Sequence, residues 1–140
     1  MATHISRSAE ETVAYGRKIA ADLKPNSVLC FFGDLGAGKT TLIKGIVAYS
    51  TGISEQEIVS PTYIYLHSYP GKTTVHHFDL YRLQDPEEFL AMGFDEMLEA
   101  GGITCIEWSE RIQNLLPPHC IKIFMEHEGD GIRQITIERP

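Results

Sequence analysis

Val28-Leu-Cys-Phe-Phe-Gly-Asp-Leu-Gly-Ala-Gly-Lys-Thr-Thr41 carries two signals in succession. Val28 to Phe32 is an uninterrupted apolar run bounded by turn residues, which suits a strand buried on both faces, as in a parallel sheet. Gly33-Asp-Leu-Gly-Ala-Gly-Lys-Thr40 then matches GxxxxGK[ST] in full. Average composition would produce such a match in about one of a few hundred chains of this length, and the flanking strand and helix sharpen it. Glycines let backbone N–H groups turn inward around phosphate oxygens. The helix N-terminus adds partial positive charge. Lys39 supplies a point charge for β- and γ-phosphates, and Thr40 a hydroxyl for Mg²⁺. The expectation is a nucleoside triphosphate site between this strand and a helix over Thr40–Tyr49, whose inner face is Leu42, Ile43, Ile46 and Val47.

Upstream, Ser8 and Glu11 have the spacing of a capping box. Val13, Gly16, Ile19, Ala20 and Leu23 form one helical stripe, ended by Pro25-Asn26. Downstream, Tyr63–Tyr69 and Thr73–Phe78 are strand-like around Pro70-Gly71 and predict a hairpin. Pro86–Met92 predicts a helix that Gly93 interrupts and Phe94–Leu98 resumes. Ile103–Glu107 is a short buried strand, and Ser109–Leu116 a short helix ended by Pro117-Pro118. Cys120–Glu126 and Ile132–Glu138 alternate as a second hairpin. Helices alternating with parallel-type strands, followed by hairpins, predict an α/β fold with a mixed sheet.

The 140 residues predict one domain over 1–140, with 43% hydrophobic and 22% charged residues, as in ordinary globular chains. No apolar run approaches the ~18–20 residues of a membrane helix. The start lacks a long apolar stretch after its basic residue, so no signal peptide is expected and the cytoplasm is the default. Twelve Lys and Arg stand against nineteen Asp and Glu, a formal charge of -7. The longest basic run is Arg17-Lys18, so unaided nucleic-acid binding is not expected. Cys30, Cys105 and Cys120 include no CxxC pair, and Cys30 and Cys105 sit in apolar runs as core residues.

Mg²⁺ at such a site needs a carboxylate, and Asp79 and Glu107 both end strand-like runs at the carboxyl edge of the sheet. Either one serves as a Walker-B-type acid. His77 and Asp79, two apart, share a strand face, whereas His76 faces the other way. The His77–Asp79 pair either positions water or makes a plain hydrogen bond. Ser60-Pro61-Thr62 is either a γ-phosphate sensor or an ordinary loop. Leu83 to Glu110 holds eight acids and no Lys or Arg, as a solvated face or as a docking surface for a basic partner. Arg82 and Arg133 are further candidates to meet phosphates. No [NT]KxD stands where a GTPase would recognise guanine, which favours ATP.

Together these residues resemble a known family. Gly33–Thr41, Ser60-Pro-Thr62, His77-Phe-Asp-Leu-Tyr-Arg82 and Ile106-Glu-Trp108 are similar, in order and spacing, to the TsaE (YjeE) family of bacterial P-loop ATPases. The resemblance implies a P-loop NTPase-type three-layer fold, with helices on both faces of a mixed central sheet. It implies an ATP-hydrolysing subunit needed for threonylcarbamoyl modification of the adenosine beside the anticodon in tRNAs reading ANN codons. Such a subunit acts with TsaB and TsaD, meets tRNA only through that complex, uses no membrane, and does not itself transfer the group. Position by position, Gly36, Ala37, Gly38, Lys39, Thr40 and Thr41 would bind ATP, and Thr40 with Glu107 would hold Mg²⁺. Lys39, Asp79 and Glu107 would form the catalytic set. Thr12 would lie close to the adenine, Glu110 and Arg133 would contact the nucleotide, and Trp108 would lie near the nucleotide or a partner. Ser109 departs from relatives with Pro after Glu-Trp and should alter only the local turn. The competing readings are a compact P-loop kinase of small molecules and a nucleotide-binding regulatory module without turnover.

Overall fold

The strand over Val28–Phe32 is the centre of the molecule. The computed structural model describes residues 1–34, 37–59, 61 and 64–140. Its strands are β1 (Ala2–Ser6), β2 (Val28–Phe32), β3 (Leu66–Tyr69), β4 (Val75–Asp79), β5 (Ile103–Glu107), β6 (Ile121–His127) and β7 (Arg133–Glu138). They join one sheet in the order β1-β7-β6-β2-β5-β4-β3. β2 runs parallel to β5 and β6, and β5 parallel to β4. β3, β7 and β1 pair antiparallel at the margins, so the sheet is mixed.

Helices α1 (Ala9–Ala21) and α2 (Lys39–Thr51) pack on one face with Leu29 and Phe31. Helix α3 (Pro86–Ala91) and 3₁₀ segments over Phe94–Glu99 and Ser109–Leu115 cover the other, with Val28 and Cys30. Residues 28 to 31 of β2 are buried throughout, as a strand covered on both sides must be. The three cysteines are buried and free.

Ser8 caps α1 by accepting from the Glu11 N–H at 3.0 Å. Gly16 of α1 and Gly45 of α2 let the two backbones touch. A Cβ on Gly16 would stand 2.2 Å from the Leu42 carbonyl oxygen, and one on Gly45 would stand 2.0 Å from that of Val13.

Several elements differ from expectation. β1 adds an edge strand that its sequence does not announce, because only Ser6 of its five residues is buried. β3 begins at Leu66, since Tyr65 adopts φ 66° and breaks the run; Tyr63 lies outside the described residues. β4 begins at Val75 and β7 at Arg133. Cys120 precedes β6, its N–H bonded to the Pro117 carbonyl. Phe94–Glu99 and Ser109–Leu115 are 3₁₀ rather than α-helical. Gly93 at φ 73° keeps α3 from running on into the first, and Trp108 at φ 62° turns the chain out of β5 into the second, which is itself kinked at Ile112 (φ -130°).

Candidate functional site

Asp79 and Glu107 are register partners at the last residues of β4 and β5, and Glu107 is also opposite Phe31 on β2. The chain leaving β2 therefore enters the glycine loop beside two carboxylates, at the carboxyl edge of the parallel strands. Both acids are buried, at 5% and 4% exposure.

The loop returns into α2 through Gly38, whose φ of 96° suits glycine. Among the described residues no side chain caps this helix, so its first N–H groups are available to a ligand. Lys39 is the first helical residue and is buried. Its Nζ donates to the Gly33 carbonyl at 2.6 Å and lies 3.7 Å from the centroid of the Trp108 ring. Burial holds its pKa below the usual lysine value, although Glu107, Glu110, Asp79 and Asp34 pull it upward.

Thr40 donates from Oγ1 to Glu107 Oε2 at 2.9 Å. His77 Nε2 stands 2.7 Å from the same oxygen. The hydrogen bond of His77 therefore crosses to β5, a partner that its spacing from Asp79 did not reveal. His76 does turn to the other side and bonds Ser68 on β3 at 2.8 Å. Asp79 accepts the Tyr81 N–H on Oδ1 at 3.1 Å, which fixes its carboxylate in the turn after β4. The Tyr81 and Trp108 rings lie 5.0 Å apart and form an aromatic wall beside Lys39. Buried Ser109 bonds back to the Ile106 carbonyl at 2.8 Å, closing the turn that follows Trp108.

Arg133 comes to the loop from the start of β7. A Cβ added to Gly38 would stand 3.2 Å from its Nε. Ala37 is buried, with its N–H bonded to the Asp34 carbonyl, and Thr41 is half-buried. Glu110 is exposed yet near enough to act on Lys39. Arg82 is exposed. Thr12 is buried at the start of α1, where its hydroxyl bonds Ser6 Oγ at 2.6 Å and the Ser8 carbonyl at 3.1 Å. Among the described residues, no hydrogen bond or ion pair joins Thr12 to Lys39, Thr40 or Glu107. Gly36, Ser60 and Thr62 lie outside the described residues.

A cavity of about 470 Å³ borders the loop, lined by Gly33, Asp34, Ala37, Phe124, Met125 and His127 among others. Another, of about 790 Å³, lies at the opposite edge of the sheet near Lys24 and Lys72, away from these groups. The chemistry follows Lys39, Thr40 and Glu107, which come together at the start of α2 and line neither cavity. A hydroxyl and a carboxylate side by side are hard oxygen ligands of the kind Mg²⁺ takes. A neighbouring ammonium and an uncapped helix start suit phosphate. The residues present thus fit a metal–nucleotide pair. Among the described residues, no helix is long and apolar enough to cross a membrane.

Residues 6–135 match the family described as Threonylcarbamoyl adenosine biosynthesis protein TsaE. A Rickettsia conorii protein named tRNA threonylcarbamoyladenosine biosynthesis protein TsaE is 43% identical over 135 residues, covering 96% of this chain and 76% of the relative. The Treponema pallidum protein of the same name is 40% identical, covering 95% of this chain and 97% of the relative. A crystal structure of Bacillus subtilis YdiB superposes with a TM-score of 0.83 at 33% identity, covering 99% of this chain and 84% of that one. With the match running from the end of β1 into β7, the chain belongs to the TsaE family.

Proposed function

We propose that this chain binds and hydrolyses ATP with Mg²⁺ as a component of tRNA threonylcarbamoyladenosine biosynthesis in the cytoplasm, acting with TsaB and TsaD and meeting tRNA only through them. Membership of the TsaE family supports the pathway. The observation that carries the ATPase reading is the Thr40–Glu107 hydrogen bond, which ties the start of α2 to the end of β5 beside the Lys39 ammonium.

In this reading Gly36 to Thr41 surround the phosphates, and Lys39 supplies positive charge to the β- and γ-phosphates. Thr40 and Glu107 hold Mg²⁺, which neutralises charge on the phosphate oxygens when bound. Asp79, its carboxylate fixed by the Tyr81 N–H, orients water at the reacting end. Arg133, already alongside Gly38, contacts the nucleotide from the β7 side, and Glu110 from the Trp108 side. Thr12 borders the adenine; its hydroxyl is committed to Ser6 and the Ser8 carbonyl, so it shapes the wall there.

Reconstitution of tRNA modification from purified components, with and without this chain, tests the assignment. Repeated rounds of modification that require both this chain and ATP are the expected result. Modification that continues equally without the chain overturns it, and phosphate transfer to a small molecule by the isolated chain would move the assignment to a compact kinase.

A further inference from the structure

His77 is fully enclosed in β4 at 0% exposure, two residues before Asp79. A residue needed only for packing there would carry no polar atoms, since buried nitrogen requires a partner to offset its lost hydration. One ring nitrogen has a partner and the other does not. Nε2 is 2.7 Å from Glu107 Oε2, and Nδ1 is buried with no hydrogen-bond partner among the described residues. A carboxylate oxygen accepts, so the hydrogen of this contact resides on Nε2. Thr40 donates to that same Oε2 from the opposite structural layer, at 2.9 Å. One oxygen of a buried carboxylate is thus gripped by two donors, one from β4 and one from α2.

We propose that His77 is a positioning residue for Glu107. Its Nε2–H holds the carboxylate in the orientation in which Glu107 meets the Thr40 hydroxyl and, on the reading above that this pair holds Mg²⁺, the cation. Outer partners that orient metal ligands in this way are commonly worth 10–100-fold in metal affinity. The alternative is a core histidine satisfied by the nearest carboxylate, with no bearing on the cation.

The two are separated by the Mg²⁺ dependence of nucleotide binding, which does not depend on turnover. Affinity for a non-hydrolysable ATP analogue is measured by titration calorimetry in Mg²⁺ and in chelator, for wild type and for His77→Gln, His77→Asn and His77→Leu. A glutamine amide nitrogen reaches about where Nε2 stands, and an asparagine amide only about where Nδ1 stands. Wild type and His77→Gln are expected to keep the gain in affinity that Mg²⁺ confers. His77→Asn and His77→Leu should lose roughly 10-fold or more of that gain, with affinities in chelator within about twofold of wild type.

Folded Asn and Leu variants with the full wild-type gain overturn the proposal. So does a loss of equal size in chelator, or a His77→Gln variant as impaired as His77→Asn. These results leave the Mg²⁺ reading of Thr40 and Glu107 standing. A wild-type protein that gains nothing from Mg²⁺ overturns that reading and the role of His77 with it. Nitrogen NMR of wild-type imidazole provides a check independent of variant folding: hydrogen on Nε2 is expected, and hydrogen on Nδ1 overturns the proposal.

Discussion

Lys39 brings an ammonium into a buried place where its partners are a carbonyl, an indole face and the field of nearby carboxylates. Burial outweighs that field, so its pKa lies below the ordinary value. The unfolded chain then binds more protons at this residue than the native one in the window between the lowered pKa and the usual ~10.4. Stability contributed by Lys39 consequently rises as pH climbs through that window. The neutral isostere should not share this rise. Subtracting the Lys39→Met unfolding free energy from that of wild type, in denaturant titrations from neutral pH to about 10, should give a difference that grows with pH; a flat difference contradicts the assigned burial effect. The same substitution should weaken ATP binding by roughly 10–100-fold, the scale of a charge-assisted contact of ~1.5–3 kcal/mol, with the fold intact by circular dichroism. The two carboxylates divide differently. Glu107→Ala should reduce Mg²⁺-dependent nucleotide affinity more than affinity in chelator, whereas Asp79→Ala should reduce phosphate release by ~10²-fold or more with little change in binding. Titrations with and without Mg²⁺, together with single-turnover hydrolysis, check both. At this scale the sequence was informative where chemistry depends on spacing along one segment. Lys39, Thr40 and the strand-end acids could be found that way. The His77–Glu107 contact could not, because it joins neighbouring strands whose register depends on packing of the whole sheet.

Elements show the same division between local and distant causes. The apolar run of β2 and the capped start of α1 are written in adjacent residues and stand where their patterns place them. β1 is legible only through its partner β7, because its own residues are mostly exposed. The 3₁₀ segments arise where left-handed Gly93 and Trp108 reset the backbone, a conformation that apolar periodicity does not encode. The glycine of the α1 stripe likewise looks like a weakness until its counterpart is known. Gly16 lies against Leu42 and Gly45 against Val13, and in each case the obstructing atom is a backbone oxygen that has no rotamer to change. Gly16→Ala and Gly45→Ala should each destabilise the protein by ~1–3 kcal/mol, the range for overpacking, despite a gain of up to ~1 kcal/mol in helix propensity. Thermal unfolding should show both well below wild type. Gly101→Ala makes a useful contrast, since its Cβ would meet nothing within 4 Å and its penalty comes from a φ of 100° alone. Because α2 begins at Lys39, a displaced α1–α2 contact should also lower nucleotide affinity, which a change confined to the turn at Gly101 should not.

For the molecule as a whole, the acidic stretch leads into one arm of the site: β5, which ends in Glu107, follows directly on α3 and the Phe94–Glu99 segment. The exposed surface of that stretch includes Glu87, Asp95, Glu96 and Glu99, interspersed with Leu90 and Met92, each 44% exposed. Glu88 is different: it is half-buried and accepts the Gln84 N–H at 3.3 Å, so it serves the start of α3. Such a surface is either a solvated face or a docking surface for a basic partner, and the second reading makes a testable prediction. At the edge where β4 and β5 end, Lys39 turns to its own loop carbonyl and Tyr81 is exposed beside Trp108. On the proposed ATPase reading, a second protein laid over the exposed Tyr81 would shield a γ-phosphate at this edge from water. Completion of a phosphoryl-transfer site by a partner is worth ~10³–10⁵ in rate where it has been separated from the intrinsic reaction. Phosphate release by the isolated chain should therefore be slow, and addition of the TsaB–TsaD dimer at fixed salt should accelerate it by at least tenfold. Glu87→Lys combined with Glu96→Lys should weaken that association several-fold, more so at low ionic strength because the interaction is screened. ATP affinity of the isolated chain should stay within about twofold, since neither residue reaches Lys39 or Thr40. Equal rates with and without the dimer would remove partner activation. Unchanged association of the double variant would shift the docking surface to the Tyr81–Trp108 edge, where Tyr81→Ala is the variant that should then lose the acceleration.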